Sequence, residues 1–368
     1  MYLRFRPVAF VILWLLAGYA YVLPVQGQAP SAPIFTIKKG TNISHWLSQV
    51  GRGTVSRNDF FTEKDVILLS GSGFDHIRIP IDEDEMWNDN DEKNKESFKL
   101  LHQALGWCKQ HQLKVIVDLH TLRSHYYNNK ERLLWQQPEA QERFLQCWRD
   151  LSAELKQYDV SMVAYELMND PVADSAVLWN RLLARAIKEI RRQEPTRCII
   201  VGSNRYQDIS TMAALEVPKG DKYLMLSFHY YNPFYLTHYQ APWTNIKDYS
   251  GPVHYPGPTV TSKELNSLPA SIRNLLPGST QEYNANLIAQ QMKEAIDIAR
   301  QLGLPLHCGE WGCLPTAPRK DRLRWYRDVK AVLEKHNIAW SSWDYKGRFG
   351  IINEDGETDK KLLKVLVK

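Results

Sequence analysis

Short, nearly continuous apolar runs alternate along the chain with stretches whose apolar residues recur at helical spacing. The strand-like runs are Lys39–Ser44, His76–Pro80, Lys114–His120, Met162–Asn169, Cys198–Ser203, Tyr223–His229, Leu304–Gly309 and Ala339–Trp343. Unbroken apolar character, rather than strict alternation, is what parallel strands covered on both faces require. Between them lie helical patterns such as Phe98–Gln110, Ala140–Lys156, Ala176–Gln193, Asn284–Gln301 and Asp321–His336. Eight such strands with intervening helices predict a single-domain α/β fold, a (β/α)8 TIM barrel over residues 36–368. The alternative, an open doubly wound sheet, calls for a Gly-rich phosphate loop after the first strand, and Thr41-Asn42-Ile43-Ser44 is not one.

Two segments depart from this rhythm. Residues 1–27 pair a basic start, Arg4 and Arg6, with the apolar run Val8 to Leu16 and small residues near Gly27. That is the pattern of a secretory signal, too short in its apolar part for a membrane span. Residues 28–35 then read as a flexible leader, and the mature protein is expected to be secreted or periplasmic, without a stable membrane span, and monomeric. The other segment, Asn232 to Glu282, is a long connection rich in Pro, Tyr, Trp and Gly. Its aromatics (Phe234, Tyr235, His238, Tyr239, Trp243, Tyr255) predict an ordered wall of a cleft.

Composition narrows the chemistry. The formal charge of +5 falls to +3 once Arg4 and Arg6 leave with the signal, and no dense Lys/Arg stripe appears, so no nucleic-acid partner is expected. Much of the aromatic surplus, 12 Trp and 18 Tyr, is expected in the core, and those at strand ends are placed to stack on a ligand. Cys108, Cys147, Cys198, Cys308 and Cys313 are odd in number and lack Cys-x-x-Cys spacing. Cys108 and Cys147 fall in successive helices, where either a bridge or two buried free thiols is open.

In a parallel barrel the reactive groups collect at the C-terminal ends of the strands. Those ends carry Arg78, His120, Asn169, Asp170, His229, Tyr231, Glu310 and Trp343. Tyr165-Glu-Leu-Met-Asn169-Asp170-Pro171 places an amide and a carboxylate together where Pro171 stops a strand, and Cys308-Gly-Glu310-Trp-Gly places a second carboxylate about 140 residues later. Two carboxylates at the carboxyl ends of two strands are what glycoside cleavage requires, one to attack the anomeric carbon and one to protonate the leaving oxygen. Glu310 is expected to keep its charge beside Arg78 and Tyr231, and its charge to raise the pKa of Asp170. Glu166, four residues before Asp170, is expected deeper in the barrel against Arg78. Asp118 reads as structural, His307 as core, and Asp344 as a group at the cleft rim.

At this point the chain resembles glycoside hydrolase family 5, the cellulase/mannanase-type retaining enzymes. The matching segments are Gly-Thr-Asn-Ile-Ser (40–44), His-Ile-Arg-Ile-Pro (76–80), Val-Ile-Val-Asp-Leu-His (115–120), Tyr-Glu-Leu-Met-Asn (165–169), His-Tyr-Tyr-Asn-Pro-Phe (229–234), Cys-Gly-Glu-Trp-Gly (308–312) and Trp-Asp-Tyr (343–345). The resemblance implies Glu310 as nucleophile and Asn169 as the partner of the sugar 2-hydroxyl. It implies that Arg78, His120, His229 and Tyr231 hold the carboxylates, and that Trp343 stacks under the sugar at the cleavage point. It implies no cofactor and no metal, and a β-linked polysaccharide or oligosaccharide as partner. One position departs from the family pattern: Asp170 stands where the family has a Glu acid/base. Its oxygens can retreat by about 1.5 Å, one C–C bond, between the separations of about 5–5.5 Å for retaining and about 6.5–9.5 Å for inverting pairs. Three readings stay open: a site shifted so that Asp170 works, a catalytically weak carbohydrate-binding relative, and a replacement made to slow turnover. A metal-dependent hydrolase using His120, His229, His238 or His307 is a further alternative, separated from the others by activity in a chelator.

Overall fold

A computed structural model describes residues 1, 35–50, 56–126, 131–353 and 355–368. The expected signal and nearly all of the leader lie outside the described residues. The strands in chain order are β1 (Lys39–Asn42), β2 (His76–Asp82), β3 (Lys114–Thr121), β4 (Val163–Glu166), β5 (Ile199–Gly202), β6 (Leu224–Tyr230), β7 (Gly257–Pro258), β8 (Glu282–Tyr283), β9 (Leu306–Trp311) and β10 (Ala339–Ser342). Eight of them close into a parallel barrel in the order β1-β10-β9-β6-β5-β4-β3-β2. The remaining two, β7 and β8, form a small antiparallel ribbon in the long connection after β6. The (β/α)8 expectation therefore holds, and each of the eight strand-like runs overlaps a barrel strand.

The outer helices show why the periodic stretches fold as they do. Helix Ala176–Gln193 buries Trp179, Leu182, Leu183, Ala186, Ile187 and Ile190, a single stripe at spacings of three and four. Helix Lys95–Gln110 starts at Asn94, whose side chain accepts from the amides of Glu96 and Ser97. Helix Ala285–Leu302 is capped by Asn284 and ends at Gly303, whose φ of 66° is left-handed.

The barrel interior is layered, and the layers change character along the axis. An apolar set, Phe35, Ile37, Ile116, Ala164, Cys198, Ile200, Met225 and Ala339, packs at the N-terminal end. Above it the interior turns polar. Ser341 Oγ lies 2.9 Å from His76 Nε2 and 3.0 Å from His307 Nε2, so His307 is a core residue as expected. Higher still, Arg78 is wholly buried among carboxylates. Such an interior is stable only if its charges are paired and its donors satisfied.

Three details settle or change the sequence expectations. First, β4 stops at Glu166, ahead of Pro171. Beyond it the chain splays between its neighbours: Leu167 N donates to Ile200 O on one side and Asn169 N to Leu119 O on the other. Second, the connection after β6 is ordered, with helices Phe234–Thr237, Ser262–Ser267 and Ala270–Arg273. Tyr255, however, is not part of a cleft wall; it is buried, and its hydroxyl donates to Asp328 at 3.0 Å. Third, Cys108 and Cys147 form no bridge: all five cysteines are free and buried.

Candidate active site

Two register shifts aim the polar side chains at the C-terminal mouth. Between β6 and β9, Phe228 pairs with Cys308 but His229 pairs with Glu310, so Gly309 is the extra residue of a bulge. A Cβ on Gly309 would lie 2.9 Å from Ser227 Oγ and 3.2 Å from His229 Nε2, which explains why glycine occupies this position. The shift sets His229 beside Glu310. A second irregularity in the β2–β3 ladder leaves His120 between the paired residues Leu119 and Thr121. Gly312 is likewise squeezed: a Cβ there would meet the Trp343 carbonyl oxygen at 2.3 Å. That contact lets the chain after β9 lie against the end of β10.

Arg78 is the hub. Its Nε and Nη2 grip Glu166 at 2.7 and 3.1 Å, a two-point fork. Nη2 also donates to Asn169 Oδ1 at 2.8 Å and lies 3.0 Å from Asp118. Nη1 donates to Asn42 Oδ1 at 2.8 Å and to Glu310 Oε1 at 3.0 Å. Glu166 thus lies where expected, deep against the cation. Burial pushes its pKa up, but Arg78 outweighs that and brings it down to about 2. Burial dominates for Asp118, which rises to about 6 despite Arg78. Asp118 Oδ2 in turn lies 2.8 Å from His120 Nδ1.

Glu310 receives a second donor, Tyr231, whose hydroxyl reaches Oε2 at 3.0 Å. With Arg78 on Oε1, both oxygens are held. Across from it, His229 Nδ1 lies 2.9 Å from Asp170 Oδ1 and 3.8 Å from Glu310 Oε2. Those two carboxylate oxygens are therefore separated by at most about 6.7 Å. Asp170 meets His229 off the line of a hydrogen bond, so Oδ1 is buried without a well-directed partner. The backbone at Asp170 is left-handed, with φ of 43°, a conformation that Asp tolerates better than longer side chains. His125 Nε2 lies 3.1 Å from the Asp170 carbonyl oxygen and fixes this turn.

The electrostatics of the pair reverse one expectation. Burial raises the Asp170 pKa, yet the facing His229 outweighs burial and holds the carboxyl below its ordinary value. For His229, burial works downward, but the Glu310 and Asp170 charges prevail and raise it. The imidazole, not Glu310, governs Asp170.

Trp343 is half-buried at the end of β10, and its ring lies nearly parallel to His120, at 10° with centroids 5.6 Å apart. Asp344 is not at the rim: it is 1% exposed and accepts from Ser44 Oγ at 2.6 Å. The structure thus gathers Arg78, His120, Asn169, Asp170, His229, Tyr231, Glu310 and Trp343 at one mouth. Sequence reasoning singled out no residue on β1 or after β5, yet both ends contribute. Asn42 bridges Arg78 and the Gly309 carbonyl, and Gln207 donates to Glu166 Oε1 at 3.0 Å. Asn42 was findable as a polar residue ending an apolar strand. Gln207 lies in irregular chain with φ of 55° and has no such signature.

With this geometry in view, comparison with known proteins is decisive. The model of the cellulase family, glycosyl hydrolase family 5, matches residues 38–348. The chain belongs to that family. It is therefore a glycosidase of the cellulase type, and the matched span covers the whole barrel. The chain is 29% identical over 345 residues to Endoglucanase C of Acetivibrio thermocellus, covering 90% of this chain and 98% of the relative. It is 27% identical over 307 residues to Cellodextrinase A of Ruminococcus flavefaciens, covering 82% and 84%. Among solved structures, endoglucanase Cel5A from Thermotoga maritima superposes with a TM-score of 0.72 at 24% identity, covering 90% of this chain and 97% of that one. A subunit of the Clostridioides difficile cellulose synthase, CcsZ, gives 0.73 at 24%, covering 90% and 100%. The solved structures share the fold of the closed barrel found here.

Proposed function

We propose that this family 5 member is an exported β-glycanase that hydrolyses β-1,4-linked glucan by two successive displacements with net retention. Glu310 is the nucleophile and Asp170 the acid/base. The observation that carries the reading is that both carboxylates address one imidazole, His229, with their facing oxygens at most about 6.7 Å apart. That ceiling lies near the bottom of the inverting range, about 6.5–9.5 Å, and admits the retaining separation of about 5–5.5 Å. The names of the relatives, endoglucanase and cellodextrinase, favour β-1,4-glucan as the substrate.

The acid function belongs to Asp170 and His229 together. The pair carries one proton, held mainly on the imidazole before substrate enters. In the first step Glu310 attacks the anomeric carbon while the pair delivers its proton through Asp170 to the departing glycosidic oxygen. Arg78 and Tyr231 aim Glu310, and Asn169, itself fixed by Arg78, offers its amide N–H to the sugar 2-hydroxyl. In the second step a water gives its proton back to Asp170 while its oxygen attacks the anomeric carbon, breaking the bond to Glu310 and freeing its carboxylate. Trp343 supplies a flat apolar floor to the sugar.

The test is a product assay on β-glucans, β-mannans and xyloglucan with the unmodified protein and Glu310→Gln. Release of β-configured ends from β-1,4-glucan by the first, and no turnover with retained sugar binding by the second, is the expected result. Near-full activity in Glu310→Gln refutes the assignment of the nucleophile.

A further inference from the structure

Two large aromatic side chains in the connection after β6 stand open to solvent: Trp243 is 50% exposed and Phe234 is 39% exposed. Burying an indole is worth more than almost any other single side-chain contribution, so an ordered but open Trp needs a reason. Its surroundings supply one. Trp243 packs at 47° against Phe349, with centroids 6.3 Å apart, and edge-on against His238. Phe349 in turn lies 6.1 Å from the ring of Tyr231, the residue that bonds Glu310. Ala241, Leu314 and Phe349 form one small apolar cluster, and Tyr231 and Trp343 pack against the same cluster. An aromatic strip therefore runs unbroken from the cleavage point to Trp243, and that indole ring lies within about 12 Å of the Tyr231 ring.

The strip is rigid and carries donors. Buried Arg322 holds the loop bearing Phe349 by donating to its carbonyl oxygen at 3.2 Å. The loop bearing Trp243 is fixed to the chain after β9, where Leu314 N donates to Thr237 O at 2.9 Å. His238, pushed down to about 4 by burial, is neutral, so the platform presents no imidazolium. Arg348 is exposed and lies over the Trp243 ring at 5.4 Å. Among the described residues no carboxylate pairs with it. Its guanidinium covers part of the ring and leaves N–H groups beside the half of the indole that stays exposed, a combination suited to a pyranose: ring C–H groups on the indole, hydroxyls on the cation.

We infer that Trp243 and Arg348, carried by Phe349, form a remote sugar-binding platform that engages a β-1,4-glucan unit beyond the cleavage point. It makes the enzyme favour longer chains. The inference rests on the glucanase reading above.

The test compares cellohexaose with an aryl β-glucoside, which places a single sugar at the cleavage point, in the unmodified protein, Trp243→Ala and Arg348→Ala. Hexaose kcat/KM is expected to fall about tenfold in Trp243→Ala, through KM, with a shift in the bond cleaved. The short substrate and the melting temperature should stay unchanged. Equal losses on both substrates, or none on either, overturn the proposal. If the unmodified protein cleaves neither substrate, the glucanase reading fails by itself. The platform is then tested by calorimetry with cellohexaose and mannohexaose: binding lost in Trp243→Ala sustains it, and binding equal in both proteins, or absent from both, overturns it.

Discussion

Replacing Asp170 by Glu lengthens the proposed acid/base by one methylene, and the geometry predicts that the change is harmful. The added methylene extends the arm by about 1.5 Å. Asp170 Oδ1 already stands 2.9 Å from His229 Nδ1. An in-line extension would leave about 1.4 Å, far inside any hydrogen bond, so the Glu must leave this rotamer or push His229 aside. An off-rotamer side chain costs about 0.5–1.5 kcal/mol. The left-handed backbone, at φ of 43° and tied by His125, adds a cost for a longer side chain. Together these place the stability loss at about 1–2 kcal/mol. The catalytic loss is larger, because a misplacement of about 1 Å costs on the order of 100-fold. The assay is kcat on unactivated cello-oligosaccharides beside kcat on aryl glycosides with good leaving groups, together with the melting temperature. The first should fall by about 10- to 100-fold. The second should fall much less, since a good leaving group needs little protonation. An Asp170→Glu enzyme that is as stable and as fast on unactivated chains would show that His229 does not fix the acid, and the argument would fail.

Other outcomes follow from the same site. The Asp170–His229 pair loses its proton as pH rises through the raised His229 pKa, above the ordinary 6.5, so kcat/KM should decline on that side; in His229→Asn a pH–rate profile should show that limb at lower pH. His229's own stabilising contribution has the same sign, complete below pH 6.5 and lost as pH climbs through the folded value. Glu166 has the opposite sign: its folded pKa of about 2 against 4.5 gives stability that is present above pH 4.5 and lost on acidification towards pH 2, about 3 kcal/mol in all. Denaturant unfolding between those limits should show that loss, and Glu166→Gln should lack it. Trp343→Ala should weaken cellotriose binding to Glu310→Gln by more than about 1 kcal/mol, read by calorimetry; a variant that melts early but binds normally would make Trp343 a packing residue only.

The barrel was legible because each of its strands is buried on both faces and so reads as an apolar run. The polar residues were legible for the complementary reason: His120, His229 and Glu310 interrupt those runs near their C-terminal ends, and Arg78 does so deeper, level with Ile116. What sequence could not convey is register. The bulge at Gly309 decides that His229 faces Glu310, and nothing in Cys-Gly-Glu-Trp announces an extra residue. The same loss of register misled the electrostatics. Asp170 was expected to answer to the like charge of Glu310, whereas the fold sets an imidazole between them. Asp344 misled for a related reason, since following Trp343 in sequence says nothing about whether the side chain turns outward or towards Ser44. The long connection after β6 was legible as ordered from its aromatics, but not which of them would be swallowed, as Tyr255 is, or left open, as Trp243 is.

The five buried thiols give this protein a built-in record of its own opening. Burial drives all of them upward in pKa, Cys198 and Cys313 to about 12, so a native molecule offers an alkylating reagent almost no thiolate. Each becomes reactive only when its own neighbourhood loosens. They are well spread for that purpose: Cys108 and Cys147 sit on successive outer helices, Cys198 and Cys308 along the barrel wall, and Cys313 just beyond the strand that carries Glu310. The order in which they are labelled therefore maps which parts of the barrel breathe separately and which yield only when the whole chain does.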